Sequence, residues 1–91
     1  MRTIHKYSAP LGSHKFDAPK GAVPLHFAFQ HRLLYLWMLV ETDQPLVAYQ
    51  TNVVGTGSHI GDLTVGQYVG TTIEDPGSYS FVWHCFLDTQ P

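Results

Sequence analysis

The groups in this chain that could do chemistry are six histidines, one cysteine and a glycine-rich loop. His5, His14, His26, His31, His59 and His84 are dispersed along the sequence. A metal site built on one element needs two imidazoles at a spacing such as His-x-His or His-x-x-x-His, which turns both to the same face, and neither spacing occurs. Only strand pairing could assemble a set of ligands. His26 and His84, each in the middle of a strand-like segment, would be its first members, and otherwise they are polar side chains that need hydrogen-bond partners. No metal and no cofactor is expected. Ser13-His14 and Ser58-His59 are adjacent pairs, and neighbouring residues of a strand point to opposite faces, so neither serine is served by its own histidine. His84 points away from Cys85 for the same reason. The thiolate is the reactive form of cysteine, and nothing nearby in sequence favours it, so Cys85 reads as an inert buried thiol. Glu74 and Asp75 flank Pro76-Gly77 and read as solvated turn carboxylates. No catalytic set emerges.

Gly55-Thr56-Gly57-Ser58 is the remaining candidate. Its amides, helped by two hydroxyls, could form a nest that cradles an anion. It is not a phosphate-binding loop of the Gly-Lys-Ser/Thr kind, because no Lys or Arg follows Arg32 anywhere in the chain. Cationic help would come from Lys15, Lys20, Arg32 or another subunit, and Tyr35, Trp37 or Tyr68 would supply an aromatic platform. The alternative is structural: the glycines provide positive φ at a bulge or sheet corner.

These groups must be held by strands. The longest apolar run, Leu33 to Val40, is too short to cross a bilayer as a helix, and its aromatic residues and flanking turn signals favour a strand. Both alternating sets are apolar, Leu34/Leu36/Met38/Val40 and Leu33/Tyr35/Trp37/Leu39. One set must face the core. The other needs a second cover, from the chain itself or from another subunit, which marks Leu33, Tyr35, Trp37 and Leu39 as interface residues.

Further strands are expected at Thr3 to Ser8, Ser13 to Asp17, Ala22 to Gln30, Leu46 to Val54, Gln67 to Glu74 and Ser78 to Leu87. Val23, Leu25, Phe27 and Phe29 alternate onto one face of the third, with Pro24 at an edge or strand start because it has no amide hydrogen. Val47, Tyr49, Thr51 and Val53 share a face, as do Tyr79, Phe81, Trp83, Cys85 and Leu87. Ala18-Pro19-Lys20-Gly21 fits a type I turn and Glu74-Asp75-Pro76-Gly77 a type II turn. Gln30-His31-Arg32 is short and polar between two strong strands and implies a hairpin without the usual Asn-Gly. No helical period and no internal repeat is present. The fold class is all-β, a small antiparallel barrel or sandwich of about six to seven strands in one domain, residues 1–91.

Composition narrows the functions. With 44% hydrophobic and only 13% charged residues, the chain lacks the charge to coat a monomer of its size, against about 25% in typical domains. A homo-oligomer or a buried interface with a partner is expected. Five basic residues and one acid fall in the first 32 positions and six acids after them, so opposite charges either meet across paired strands or form complementary patches for head-to-tail assembly. A net charge of −2 gives no basis for nucleic-acid binding. One cysteine excludes an internal disulfide, and the first residues lack an apolar signal core, so the expected location is a reducing cytoplasm with no membrane attachment.

Several stretches, taken together, are distinctive: His5-Lys6-Tyr7, Pro19-Lys20-Gly21-Ala22-Val23-x-Leu25-His26, Gln30, Leu36-Trp37-x-Leu39-Val40, Val54-Gly55-Thr56-Gly57-x-x-Ile60, Tyr68-Val69-Gly70-Thr71 and Phe81-Val82-Trp83-His84-x-Phe86. They resemble a family of short, uncharacterised phage and prophage proteins over nearly the whole chain. That family has no assigned activity, cofactor or catalytic set, so the resemblance carries no functional residue over. In those relatives the turn after Gln30 often contains Asn-Gly; here His31-Arg32 stands in its place. The resemblance implies a phage protein in a host cytoplasm. The leading expectation is a non-enzymatic, oligomeric binding protein that inhibits or sequesters a host factor in counter-defence. The alternatives are a protein that sequesters a small nucleotide-like ligand at Gly55 to Ser58, and a minor structural component of the virion.

Overall fold

The computed structural model describes residues 1–61, 66–75 and 80–89, which form seven antiparallel strands. They are β1 (Arg2–Ser8), β2 (Gly12–Pro19), β3 (Val23–Gln30), β4 (Leu33–Glu41), β5 (Leu46–Gly55), β6 (Gln67–Glu74) and β7 (Phe81–Thr89). A three-stranded sheet of order β1-β4-β3 packs on a four-stranded sheet of order β2-β5-β7-β6. The architecture is therefore a sandwich and not a closed barrel, and each expected strand is present.

Alternation along β4 sets the layer. Leu34, Leu36, Met38 and Val40 are all at or below 8% exposure and face the other sheet, where Tyr49, Thr51 and Val53 of β5 and Cys85 and Leu87 of β7 meet them. Phe27, Ala9 and Ala18 complete the core, with Tyr7, Phe16 and Trp83 packed at its margins. Burial of this kind contributes about 25 cal/mol per Å² of apolar surface and is what holds two small sheets together. The Tyr49 hydroxyl donates to the carbonyl of Pro19 at 2.9 Å and accepts the amide of Ala22 at 3.1 Å. Core and β2–β3 connection are thereby tied.

Three expectations are corrected by the backbone. First, β3 does not keep one face from Val23 to Phe29. Pro24 lies opposite Met38 and His26 opposite Trp37, so Leu25 is the extra residue of a bulge. Pro24, with no N–H to give, tolerates that broken ladder. Val23 and Leu25 are exposed at 50% and 48%, while Phe27 is buried. Second, the turn after β2 lies one residue later than Ala18–Gly21. The amide of Ala22 bonds the carbonyl of Pro19, and Gly21, at φ 80°, occupies the third position, where a type II turn demands positive φ. Third, Phe81 is 42% exposed and does not share the buried environment of Cys85 and Leu87. Tyr79, and Pro76 and Gly77 of the turn expected at Glu74–Gly77, lie outside the described residues. The charge segregation is in part the simple kind: Arg2 on β1 donates to Glu41 at 3.1 Å across the β1–β4 pair.

The two sides of the sandwich differ. On one side β3 and β6 lie alongside each other, the Phe29 amide donating to the Thr72 hydroxyl at 3.2 Å. On the other, β1 and β2 are sheet edges in different layers, linked by Tyr7 and Phe16, whose rings lie 4.9 Å apart.

Candidate functional site

The outer face of the β1-β4-β3 sheet carries the most distinctive surface. Cross-strand register builds it in rows: Ile4, Leu39 and Val23; Lys6, Trp37 and His26; Ser8, Tyr35 and Ala28. Leu33, opposite Gln30, ends the face, and the bulge pushes Leu25 out between the rows of Val23 and His26. Ile4, Val23, Leu25 and Leu33 are each about half exposed, at 55%, 50%, 48% and 57%, while Tyr35, Trp37 and Leu39 are half-buried. The four residues expected at an interface, Leu33, Tyr35, Trp37 and Leu39, thus do share one face. Tyr35 and Trp37 are flanked by Lys6 and His26 of the same sheet, and Leu33 borders a groove that Glu74 and Trp83 of the other sheet also line.

The cations on this face are held down. Lys6 Nζ sits 4.3 Å from the centroid of Tyr35 and 5.9 Å from that of Trp37, and donates to Gln30 Oε1 at 3.2 Å. Tyr35 and Trp37 meet edge to face at 6.0 Å, and His26 lies 5.9 Å from Trp37 on the other flank. With Arg2 paired to Glu41 at the rim, both cations of the face have partners within the sheet, and its centre is aromatic and aliphatic. Sequence reasoning found the part of this face that β4 supplies, Leu33, Tyr35, Trp37 and Leu39, but missed Val23 and Leu25, because the bulge at Leu25 breaks the parity that put them on one face with Phe27 and Phe29.

The other candidates fall elsewhere. Gly55-Thr56-Gly57-Ser58 forms a turn at the end of β5, in the opposite sheet from Tyr35 and Trp37, so loop and platform are not one site. Within the turn the Ser58 amide bonds the Gly55 carbonyl at 3.0 Å, the Thr56 amide bonds the Val82 carbonyl at 3.0 Å, and Gly57 has φ 84°. Two of the amides that would make a nest are therefore used within the chain. A Cβ on Gly55 would lie 3.0 Å from Trp83 Cζ3, so that glycine allows the indole to approach the backbone. Gly55, Thr56, Ser58, Phe81 and Trp83 line a shallow groove of ≈ 470 Å³, with the two rings stacked at 5.5 Å. The third ring proposed for the platform, Tyr68, lies on the outer face of the four-stranded sheet. Its hydroxyl and the Thr71 hydroxyl share a hydrogen bond, Thr71 reaches His84 Nδ1 at 3.0 Å, and Thr56 reaches His84 Nε2 at 2.6 Å.

His84 therefore has both ring nitrogens partnered. His26 stands on the other sheet, and the pair considered as metal ligands is not brought together. Among the described residues no group of three His, Cys, Asp or Glu side chains could hold a metal ion. Ser13 is bonded to Asn52 Oδ1 at 2.6 Å.

Cys85 is fully buried in the core, and burial pushes its thiol up to about 12. At pH 8 that rise leaves about a thousandfold less thiolate than an ordinary thiol would have, since each unit is a factor of ten. Cys85 in the native protein should accordingly resist a thiol-reactive dye that labels the urea-unfolded chain within minutes. Fast labelling of the native protein, at a rate independent of added denaturant, would show that the thiol is open to solvent. The raised value also fixes the sign of the linkage. The neutral thiol favours the native state below the unfolded thiol's ordinary range, and that contribution is lost as pH climbs toward 12.

Compared with known proteins, residues 1–91 match the family described as "Domain of unknown function (DUF7352)". No curated protein and no solved structure matches the chain.

Proposed function

Since this chain belongs to the DUF7352 family across residues 1–91, a family whose name assigns no chemistry, we propose from its surface that it is a non-enzymatic, oligomeric binding protein. It presents the outer face of β1-β4-β3 to a host macromolecule. The observation that carries this is the half-exposed aliphatic set Ile4, Val23, Leu25 and Leu33 framing Tyr35 and Trp37, with both cations of the face engaged internally. Aromatic anchors in an apolar field are the usual source of binding energy at interfaces. The resemblance to short phage and prophage proteins supports a phage context. There, a small protein of this kind acts in the host cytoplasm as a counter-defence accessory factor.

The test uses three variants, Trp37→Ala, Tyr35→Ala and Leu33→Ala, with Ile73→Ala on the opposite sheet as control. Immobilised wild-type protein should retain a host protein in stoichiometric amount, and the face variants should lose at least about tenfold in affinity for it, the loss of one hot-spot side chain. A host making the protein should plate a restricted phage more efficiently, and the Trp37→Ala protein should not restore plating. A soluble monomer that retains nothing from host lysate, or face variants that behave like Ile73→Ala, would overturn the proposal.

A further inference from the structure

We infer that a second copy of this chain pairs with the free edge of β1, joining two three-stranded sheets into one continuous six-stranded sheet. The inference rests on the proposed oligomeric binding function and names its partner and geometry. Edge strands expose unpaired N–H and C=O groups, and proteins guard them with proline, bulges and charges. Among the described residues, three of the four sheet edges are guarded. β3 carries Pro24 and the Leu25 bulge, β6 carries a bulge at Val69, and these two edges lie against each other. β2 presents exposed Lys15 and Asp17 and ends at Pro19. β1 has no proline and no bulge, and pairs with β4 in unbroken register over all seven residues. Its two cations, the remaining guards, are drawn onto its own sheet: Arg2 to Glu41, Lys6 over Tyr35. Among the described residues no strand pairs with its other side.

The backbone fixes which groups are on offer. The Ala9 amide bonds the Leu34 carbonyl and the Thr42 amide bonds the Met1 carbonyl, and both contacts continue the β1–β4 register. Hydrogen-bonded residues alternate along an antiparallel strand, so Thr3, His5 and Tyr7 turn their backbone groups to β4. Arg2, Ile4, Lys6 and Ser8 turn theirs to the open edge. Two copies related by a two-fold axis pair through these residues, and the charges select the register. An axis at Ile4 sets Arg2 opposite the partner's Lys6, and an axis at Lys6 sets two lysines opposite each other; like charges directly opposed destabilise a pair. An axis at His5 avoids both. It places Ile4 against the partner's Lys6 and Arg2 against the partner's Ser8, and it uses the whole strand, an isologous contact. Because Ile4 and Lys6 belong to the outer face, this register makes the two aromatic faces one surface.

Cysteine cross-linking reads the register directly. His5 meets its own copy at a position without inter-strand hydrogen bonds, where Cβ atoms approach to about 4.5–5.5 Å, near disulfide reach. His5→Cys should form a covalent dimer on mild oxidation, and Ser8→Cys, whose opposite number is Arg2 of the other copy, should not. Ile4→Pro removes an outward N–H and leaves the β1–β4 bonds in place, so by light scattering it should raise the dimer dissociation constant by more than about tenfold. If Ile4→Pro stays dimeric, or Ser8→Cys cross-links as readily as His5→Cys, the edge pairing is wrong while an oligomeric binding protein still stands. If the wild type is monomeric at high micromolar concentration, the oligomer itself is absent and both fall.

Discussion

Truncation of Leu36 to alanine should lower stability by about 3–5 kcal/mol, the cost of a large-to-small change at a site that cannot collapse. Leu36 is fully buried, and register places it between Tyr7 on β1 and Phe27 on β3, each turned to the same interior. Those strands are held on both sides of β4 by backbone pairing, so the void stays open. A domain of 91 residues has a total stability of about 5–14 kcal/mol, and the loss is a large share of it. Urea unfolding should show the midpoint falling steeply with the slope unchanged. Leu33→Ala is the paired control: three residues away on the same strand, 57% exposed, it should cost within about 0.5 kcal/mol. Equal losses at the two leucines would mean that both faces of β4 are covered in solution. That result would itself point to an assembled face.

That contrast shows what the residues disclose and what they do not. Six of the seven strands are legible as runs of β-forming side chains between turn residues, and the mostly polar β2 only through Phe16; Gln67 to Glu74 has the expected limits, and β4 runs one residue past Val40, through Glu41. Period 2 along β4 and β5 also locates the core, since Leu36 and Met38, and Tyr49 and Val53, alternate with residues of the outer faces. Parity is lost wherever the backbone inserts a residue. The bulge at Leu25 is invisible in a pattern of side chains, and with it Val23 and Leu25 dropped out of the candidate face. Contacts across the sheets were equally illegible: Lys6 over Tyr35, the Tyr68–Thr71–His84–Thr56 chain of hydrogen bonds, and the separation of His26 from His84 depend on strand order and register. The open edge of β1 belongs to the same class. Nothing in Arg2 to Ser8 distinguishes an edge strand from a central one; only the sheet order β1-β4-β3 does.

The second large effect is a gain. The β3–β4 hairpin closes in two residues, with Gln30 opposite Leu33, and both of them take positive φ: His31 at 50° and Arg32 at 69°. A two-residue loop with both residues left-handed is the type I′ turn, whose twist matches that of the strands and for which Asn-Gly is the favoured pair. An L-residue in that region costs roughly 1–2 kcal/mol, an amount that asparagine reduces and glycine escapes. Replacing His31→Asn and Arg32→Gly together should therefore raise stability by about 1–2 kcal/mol, after the extra entropy that glycine gives the unfolded chain. For a domain of this size each kcal/mol moves Tm by about 4–8 °C, well within what circular dichroism melts resolve. Arg32 has a second environment, since it lines a groove of ≈ 380 Å³ with Phe29, Glu74 and Asp75. The two contributions separate in the single variants. His31→Asn relieves only the turn and should stabilise on its own, whereas Arg32→Gly also removes a cation from beside two carboxylates, whose mutual repulsion then opposes the gain. A fall in Tm for His31→Asn would mean that the turn is not left-handed at that residue. A fall for Arg32→Gly alone, with His31→Asn raised, would show that this chain keeps arginine in a strained conformation because the groove needs its charge.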